Sequence, residues 1–167
     1  IARAQQHYRQ SVVLDPDSDL GYYNLGNNLS RMGYRDDALK HYRQALQINP
    51  DYPDAHYNLA LELADYGELE EAARHYAEAV RLEPEFVEAQ NNYGHTLAEL
   101  GELKEAIKRY RKALSLKPDF AIAHLNLANA LSVEGRVEEA LNHYHHALSI
   151  DPNYAKAHYN LAVVYGD

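Results

Sequence analysis

A proline recurs every 34 residues along this chain, and that interval constrains the fold more than any other feature of the sequence. The prolines are Pro16, Pro50, Pro84, Pro118 and Pro152. A glycine keeps the same interval, at Gly33, Gly67, Gly101 and Gly135. Self-similarity of this kind indicates a repeat architecture, in which each unit is one supersecondary element that packs against its neighbours.

Each repeat is predicted to contain two helices. Apolar residues recur three and four positions apart on both sides of the glycine, which is the helical period. The glycine suits a left-handed turn between the two helices, and the proline biases the residue before it away from helix. Small residues flank a tyrosine in every second helix and allow a close approach to the first helix: Ala38, Tyr42, Ala45; Ala72, Tyr76, Ala79; Ala106, Tyr110, Ala113; Ala140, Tyr144, Ala147.

This pattern of leucine, small residue, glycine, alanine, tyrosine, alanine and proline resembles the tetratricopeptide-repeat (TPR) family over the whole chain. The resemblance implies an all-α fold, a right-handed superhelical solenoid of antiparallel helix pairs. It divides residues 1–167, as a single array, into four full repeats between two half-repeats. The full repeats are 19–52, 53–86, 87–120 and 121–154. Residues 1–18 correspond to the second helix of a preceding repeat and 155–167 to the first helix of a following one.

The units are also similar to the repeat region of O-linked N-acetylglucosamine transferase and to bacterial TPR proteins. The similarity lies in the triplet Asn24-Leu25-Gly26, in His41-Tyr42 and in the joint Pro118-Asp119-Phe120. It implies that the first helices line a concave groove that binds a peptide. We number positions in each repeat from residues 19, 53, 87, 121 and 155.

Position 6 is asparagine in all five first helices. A carboxamide carries donors and an acceptor, so a row of them could hold the backbone of an extended peptide without reading its sequence. The alternative is that these side chains bond locally or to water, as most polar side chains do. The predicted ladder consists of Asn24, Asn58, Asn92, Asn126 and Asn160.

Positions 5 and 9 lie on the same predicted helix face as the asparagines. Tyrosine suits a recognition surface because it buries apolar area and keeps a hydroxyl group. The alternative is that some of these tyrosines pack against a neighbouring repeat. The predicted groove residues are Tyr23, Tyr57 and Asn91 at position 5, and Asn27, His95 and Asn129 at position 9.

The charge of the chain favours a neutral or basic protein partner. The formal net charge is -9, which disfavours nucleic acid and anionic membrane surfaces as partners. Asp54 and Glu88 occupy position 2, on the groove face, and would steer a basic segment toward it. The alternative is that these carboxylates are merely solvated. Tyr23, Glu88 and Asn92 stand where a clamp for a terminal carboxylate needs cations, so that binding mode is not expected.

No motif predicts catalysis, a metal or a cofactor. The chain lacks a glycine-rich phosphate loop, a His-Glu-x-x-His sequence, a nucleophile elbow and any cysteine. His143 and His146 could share a metal ion, but no third ligand is evident in the sequence. We therefore predict a non-enzymatic protein without a metal or cofactor. No apolar run reaches membrane-spanning length, and we expect a cytoplasmic location.

The leading functional prediction is a scaffold that binds a peptide or a partner protein. One alternative is a structural module that joins head to tail through its half-repeats, since an unpaired helix should expose an apolar face. Another is the substrate-recognition part of a larger glycosyltransferase. The end faces of the self-assembling alternative are Ala4, Tyr8, Val12 and Leu14 at one end, and Leu161, Ala162 and Tyr165 at the other.

Overall fold

The predicted all-α fold is confirmed in a computed structural model of the chain. The structure describes the backbone of residues 2–166 and the side chains of residues 7, 8 and 10–166. Within that part the regular secondary structure is entirely helical. The helices are α1 Ala2–Leu14, α2 Asp19–Arg31, α3 Arg35–Ile48, α4 Pro53–Tyr66, α5 Leu69–Leu82, α6 Val87–Glu99, α7 Leu103–Leu116, α8 Ala121–Val133, α9 Val137–Ile150 and α10 Ala155–Tyr165.

The helices form two compact units, residues 1–84 and residues 85–167. In the first unit α2 packs against α3 and α4 packs against α5, while α1 packs against α2. In the second unit α6 packs against α7 and α8 against α9, while α10 packs against α9. Consecutive first helices also touch within each unit, as α2 with α4, α6 with α8 and α8 with α10. The predicted pairing of first and second helices is thus present in both units.

A left-handed glycine ends the first helix of each pair. Gly67 has φ of +83° and donates its N–H to the carbonyl of Ala64 at 2.9 Å, and Glu68 donates to Leu63 at 3.0 Å. Two such bonds satisfy carbonyls that the end of a helix leaves unpaired. Gly33, Gly101 and Gly135 have φ between 77° and 82° at the same place. The glycine thus allows the chain to reverse between the helices of a pair.

The alanines and tyrosine of each second helix form the core between the paired helices. Ala38 and Ala45 are completely buried, and Tyr42 between them is 2% exposed. A Cβ atom at Gly26 on the facing helix would lie 2.7 Å from the ring of Tyr42, so only a very small residue fits there unless the ring moves. Close packing of this kind fixes the spacing of the two helices and the direction in which their outer side chains point.

Candidate functional site

The exposed face of the first helices differs in part from the predicted one. Side chains at position 2 and position 9 reach solvent, including Asp54, Glu88 and His95. Position 5 lies deeper. The ring of Tyr23 packs against that of Tyr52 at 4.9 Å between centroids, tilted by 41°, and the ring of Tyr57 packs 5.9 Å from that of Tyr76. Asn91 is only 3% exposed. Tyr23 and Tyr57 therefore pack beneath the exposed face, and Asn91 is buried there and does not reach solvent.

Three position-6 asparagines, Asn58, Asn126 and Asn160, tie a repeat to the one before it. Asn58 donates from Nδ2 to Oδ1 of Asn27 at 2.9 Å and to the hydroxyl of Tyr23 at 3.2 Å. In the second unit Asn126 donates to Oδ1 of Asn91 at 3.1 Å. Asn91 in turn donates to Oδ1 of Asn92 at 3.0 Å. The amide nitrogens of Asn58 and Asn126 are thus engaged with the preceding repeat, 31 and 35 residues away, which is neither the local bonding nor the bonding to water considered from the sequence.

Asn27 connects three elements through a single oxygen atom. Its Oδ1 accepts from the hydroxyl of Tyr42 at 2.8 Å as well as from Asn58. Asn129 repeats the arrangement in the second unit. Its Oδ1 accepts from Tyr144 and from Asn160, each at 2.7 Å. Since two donors hold the oxygen, the amide nitrogen of Asn27 and Asn129 must point away from this junction.

Asn58 and Asn126 keep unused hydrogen-bonding capacity after these internal bonds are counted. No described group donates to Oδ1 of Asn58 or Asn126, and both side chains remain partly accessible. Asn24 makes no side-chain hydrogen bond with the described residues. The donors of Asn58 and Asn126 hold the repeats together, whereas their acceptors remain available.

Two pockets occupy equivalent places, one in each unit, between consecutive first helices. The pocket of the first unit has a volume of about 330 Å³ and includes Asn27, Tyr42 and Asn58. The pocket of the second unit has a volume of about 390 Å³ and includes His95, Tyr110 and Asn126. Both therefore lie beside a position-6 asparagine and a core tyrosine.

The carboxylates of the exposed face differ in whether they already interact with a basic side chain of the chain. Asp54 and Glu88 are exposed and form no ion pair with a described residue. Asp65, at position 13, pairs with Arg35 at 2.9 Å. Glu62 is buried, accepts a hydrogen bond from Ser30, and lies 3.5 Å from Arg35. The acidic steering predicted from the composition therefore rests mainly on Asp54 and Glu88.

Paired histidines occupy the joint between repeats. Nε2 of His56 lies 2.9 Å from the carbonyl oxygen of Pro50, and its Nδ1 lies 2.9 Å from Nδ1 of His75. A carbonyl only accepts, so Nε2 of His56 carries a proton, and one of the two Nδ1 atoms donates to the other. His124, Pro118 and His143 repeat this geometry with the same distances. The histidines at positions 4 and 23 are thus partners in a structural bridge.

Burial lowers the pKa of His75 to about 4, and the nearby His56 adds to the effect. Burial likewise lowers the pKa of His143 to about 4. His75 and His143 are consequently neutral near pH 7. The ring of His146 lies 5.2 Å from that of His124. Across the described residues, no group of three or more histidines or carboxylates is placed to hold a metal ion.

The residues predicted for head-to-tail assembly are only partly exposed. Leu14, Ala162 and Tyr165 are exposed, whereas Tyr8, Val12 and Leu161 are half-buried. The side chain of Ala4 lies outside the described residues. Self-association through these faces stays a prediction, as does attachment to a glycosyltransferase. Among the described helices, none combines the length and the apolar character needed to cross a bilayer.

Two features of this site escaped the sequence analysis. One is the bond between position 6 of a repeat and position 9 or 5 of the preceding repeat. The other is the histidine bridge between positions 4 and 23. A signal was present in the sequence for the bridge, since His56 occurs with His75 and His124 with His143, whereas Gln90 occurs with Arg109.

The comparisons with known proteins agree with this architecture. The sequence profile described as TPR repeat matches residues 35–64, 61–101, 94–132 and 134–167, and a second tetratricopeptide-repeat profile matches residues 121–146. No curated protein is similar in sequence at a significant level.

Solved structures provide the fold comparison. YrrB, described as a TPR protein with an unusual peptide-binding site, superposes with a TM-score of 0.88 at 25% identity, over 97% of this chain and 84% of YrrB. MamA superposes with a TM-score of 0.83 at 24% identity, over 91% of this chain and 89% of MamA. The pilF protein of Pseudomonas aeruginosa superposes with a TM-score of 0.77 at 25% identity, over 87% of this chain and 67% of pilF.

Proposed function

This chain belongs to the tetratricopeptide-repeat family, and we propose that, within each of its two units, the exposed face of the first helices binds an extended segment of another polypeptide. Its repeats and its structural relatives support the general role of a protein-interaction scaffold. YrrB, one of those relatives, is described as having a peptide-binding site. The specific part of the proposal concerns which groups of this chain would hold the segment.

The unused carbonyl oxygens of Asn58 and Asn126 carry the proposal. Each amide nitrogen is already bonded to the preceding repeat, at 2.9 Å in Asn58 and 3.1 Å in Asn126. The bond restricts the side chain to one orientation before any ligand arrives. A preorganised acceptor loses less conformational entropy on binding than a free one. The two oxygens are therefore suited to accept N–H groups of an extended backbone.

The exposed carboxylates favour a neutral or basic segment. Asp54 and Glu88 have no cationic partner in the described part of the chain, so a lysine or arginine of the ligand would meet an unneutralised charge. Such surface contacts act mainly on the association rate and weaken as salt is added. Binding that becomes tighter at high salt would contradict this part of the proposal.

The test uses peptides selected from a random dodecapeptide display library on the intact chain. Their affinity is then measured by fluorescence anisotropy for the wild type and for Asn58→Ala with Asn126→Ala. We expect each lost hydrogen bond, worth about 1 kcal/mol, to weaken binding about fivefold. Asn142→Ala is the matched control, because Asn142 is exposed on the second helix α9.

Backbone recognition is checked from the peptide side. A scan of single N-methyl groups along the selected peptide should find an amide whose methylation weakens binding to the wild type but leaves binding to Asn58→Ala unchanged. Circular dichroism verifies that the variants remain folded. Affinity that is the same for the wild type and the double alanine variant, with both folded, would refute the asparagine contribution.

A further inference from the structure

The pocket of the second unit differs from its counterpart in the first unit at five equivalent lining positions, and two of these differences change the space inside it. Positions 12 and 10 of consecutive repeats are Ser30 and Glu62 in the first unit, where their side chains hydrogen-bond across the pocket. The same positions are Ala98 and Ala130 in the second unit. Alanine fills less space and offers no polar group. The second pocket is accordingly more open, with a volume of about 390 Å³, and more apolar.

The second pocket also contains a tyrosine whose hydroxyl is unsatisfied. Tyr110 lines the pocket and is 1% exposed, yet its hydroxyl has no hydrogen-bond partner anywhere in the described residues. The equivalent Tyr42 and Tyr144 donate to Asn27 and Asn129. The residue at that position beside Tyr110 is His95, which points to solvent instead. Since the hydroxyl of Tyr110 is not among the buried unpartnered atoms, it reaches the solvent of the pocket and is available to a ligand.

Two further groups with spare capacity line the same pocket. Oδ1 of Asn129 is held by Tyr144 and Asn160, which leaves its Nδ2 without a described partner. Oδ1 of Asn126 is unused, because its Nδ2 is the atom that bonds to Asn91. The pocket therefore offers the hydroxyl of Tyr110 and an amide nitrogen as donors and an amide oxygen as acceptor, beside Leu103 and Val133.

From this arrangement we infer that the second pocket binds a tyrosine side chain of the partner polypeptide. An aromatic ring matches the apolar part, and 390 Å³ lies within the range of roughly 300–1,000 Å³ that is typical of ligand pockets. A phenol hydroxyl accepts one hydrogen bond and donates another, which corresponds to the unused groups of Tyr110, Asn129 and Asn126. Phenylalanine would leave these groups unpaired.

The charge around the pocket argues against an anionic ligand group. Glu99 lines the rim and is exposed, and among the described residues it has no lysine or arginine within ion-pair distance, its nearest basic group being the imidazole of His95 at 4.0 Å. A carboxylate or phosphate placed there would meet a like charge. A neutral phenol meets no such penalty. This inference deepens the proposed function, on which it rests for the presence of a bound polypeptide.

The probe for the pocket is 4-methylphenol, which is the tyrosine side chain without its backbone. Titration into the ¹⁵N-labelled chain should shift the amide resonances of residues 95–103 and 126–133 in a saturable manner. Ala98→Ser with Ala130→Glu recreates the pair found in the first unit, and should weaken binding at least tenfold. Toluene, which lacks the hydroxyl, should bind about fivefold more weakly than 4-methylphenol to the wild type.

A second variant keeps the test decisive if the double substitution fails to fold. Tyr110→Phe removes only the hydroxyl. In this variant the affinity for 4-methylphenol should exceed the affinity for toluene by about twofold or less. Resonance shifts that lie elsewhere on the chain, or equal affinity for the two probes in the wild type, would overturn the inference.

Failure of this inference can be distinguished from failure of the proposed function. If selected peptides depend on Asn58 but show no preference for tyrosine, and 4-methylphenol does not bind, only the inference about the pocket is wrong. If 4-methylphenol binds as described but no selected peptide depends on Asn58 or Asn126, the pocket stands and the asparagine proposal is wrong.

Discussion

The junction at Asn27 makes a quantitative prediction about the stability of the first unit. Oδ1 of Asn27 accepts hydrogen bonds from the hydroxyl of Tyr42 at 2.8 Å and from Nδ2 of Asn58 at 2.9 Å. Asn27→Ala removes both bonds at once. The two donors differ in what replaces the lost acceptor, because Tyr42 is 2% exposed whereas Asn58 is partly accessible.

The expected cost follows from that difference. The hydroxyl of Tyr42 is nearly buried, and the loss of its amide acceptor costs about 1–3 kcal/mol. Asn58 keeps the hydroxyl of Tyr23 at 3.2 Å and can bind water, so its loss adds only about 0.5 kcal/mol. Asn27→Ala should therefore lower the free energy of unfolding by about 2 kcal/mol. Tyr42→Phe removes the donor as well as the bond, and should cost about 1 kcal/mol.

A double-mutant cycle separates this explanation from simple loss of packing. In Asn27→Ala with Tyr42→Phe no buried hydroxyl is left unpaired, so the double variant should be more stable than the sum of the single effects by about 1 kcal/mol. Urea unfolding followed by circular dichroism at 222 nm measures all four proteins, with Asn142→Ala as an exposed control. Strict additivity, or a cost below about 0.5 kcal/mol for Asn27→Ala, would refute the role assigned to this junction.

Three other predictions concern the histidine bridges, the turn glycines and an unpaired amide. The pKa of about 4 for His75 and His143 lies below the value of about 6.5 in the unfolded chain. Between about pH 6.5 and pH 4 the unfolded chain therefore binds more protons than the folded chain. The free energy of unfolding consequently falls as the pH falls through this range. After allowance for partial exposure we expect about 1 kcal/mol per histidine, and His75→Asn with His143→Asn should flatten the change in urea midpoint between pH 7 and pH 4.5. Gly67→Ala should lower the stability by about 1 kcal/mol because φ at this residue is +83°, and Gly67→Asn should lower it less. Thermal unfolding measures both effects. Equal stability of the wild type and the two variants would contradict the turn argument. Asn28→Ala should be nearly neutral or stabilising in urea unfolding, because Oδ1 of Asn28 is buried without a described partner; a loss above about 1 kcal/mol would show that this oxygen has one.

The sequence by itself determined the architecture of each repeat. The 34-residue interval, the turn glycines and the alanine–tyrosine–alanine sets predicted helix pairs, and these pairs are present. They were predictable because the interactions that form a helix, its end and its closely packed partner depend on residues near one another in sequence. Neighbours within one repeat are the same in every repeat, so the pattern recurs and is visible.

Only the tertiary structure decided which hydrogen bonds the recurring polar residues of the repeats form. Whether Asn58 faces a ligand or the preceding repeat depends on Asn27 and Tyr23, which lie 31 and 35 residues away in sequence. An asparagine with an unbonded amide and one whose amide is hydrogen-bonded look the same in a sequence. The bonding partner comes from the preceding helix pair and is brought close only when the repeats stack. For the same reason the open pocket at Ala98 and Ala130 has no sequence signature of its own, since it arises where two helices meet without a side chain to fill the space between them.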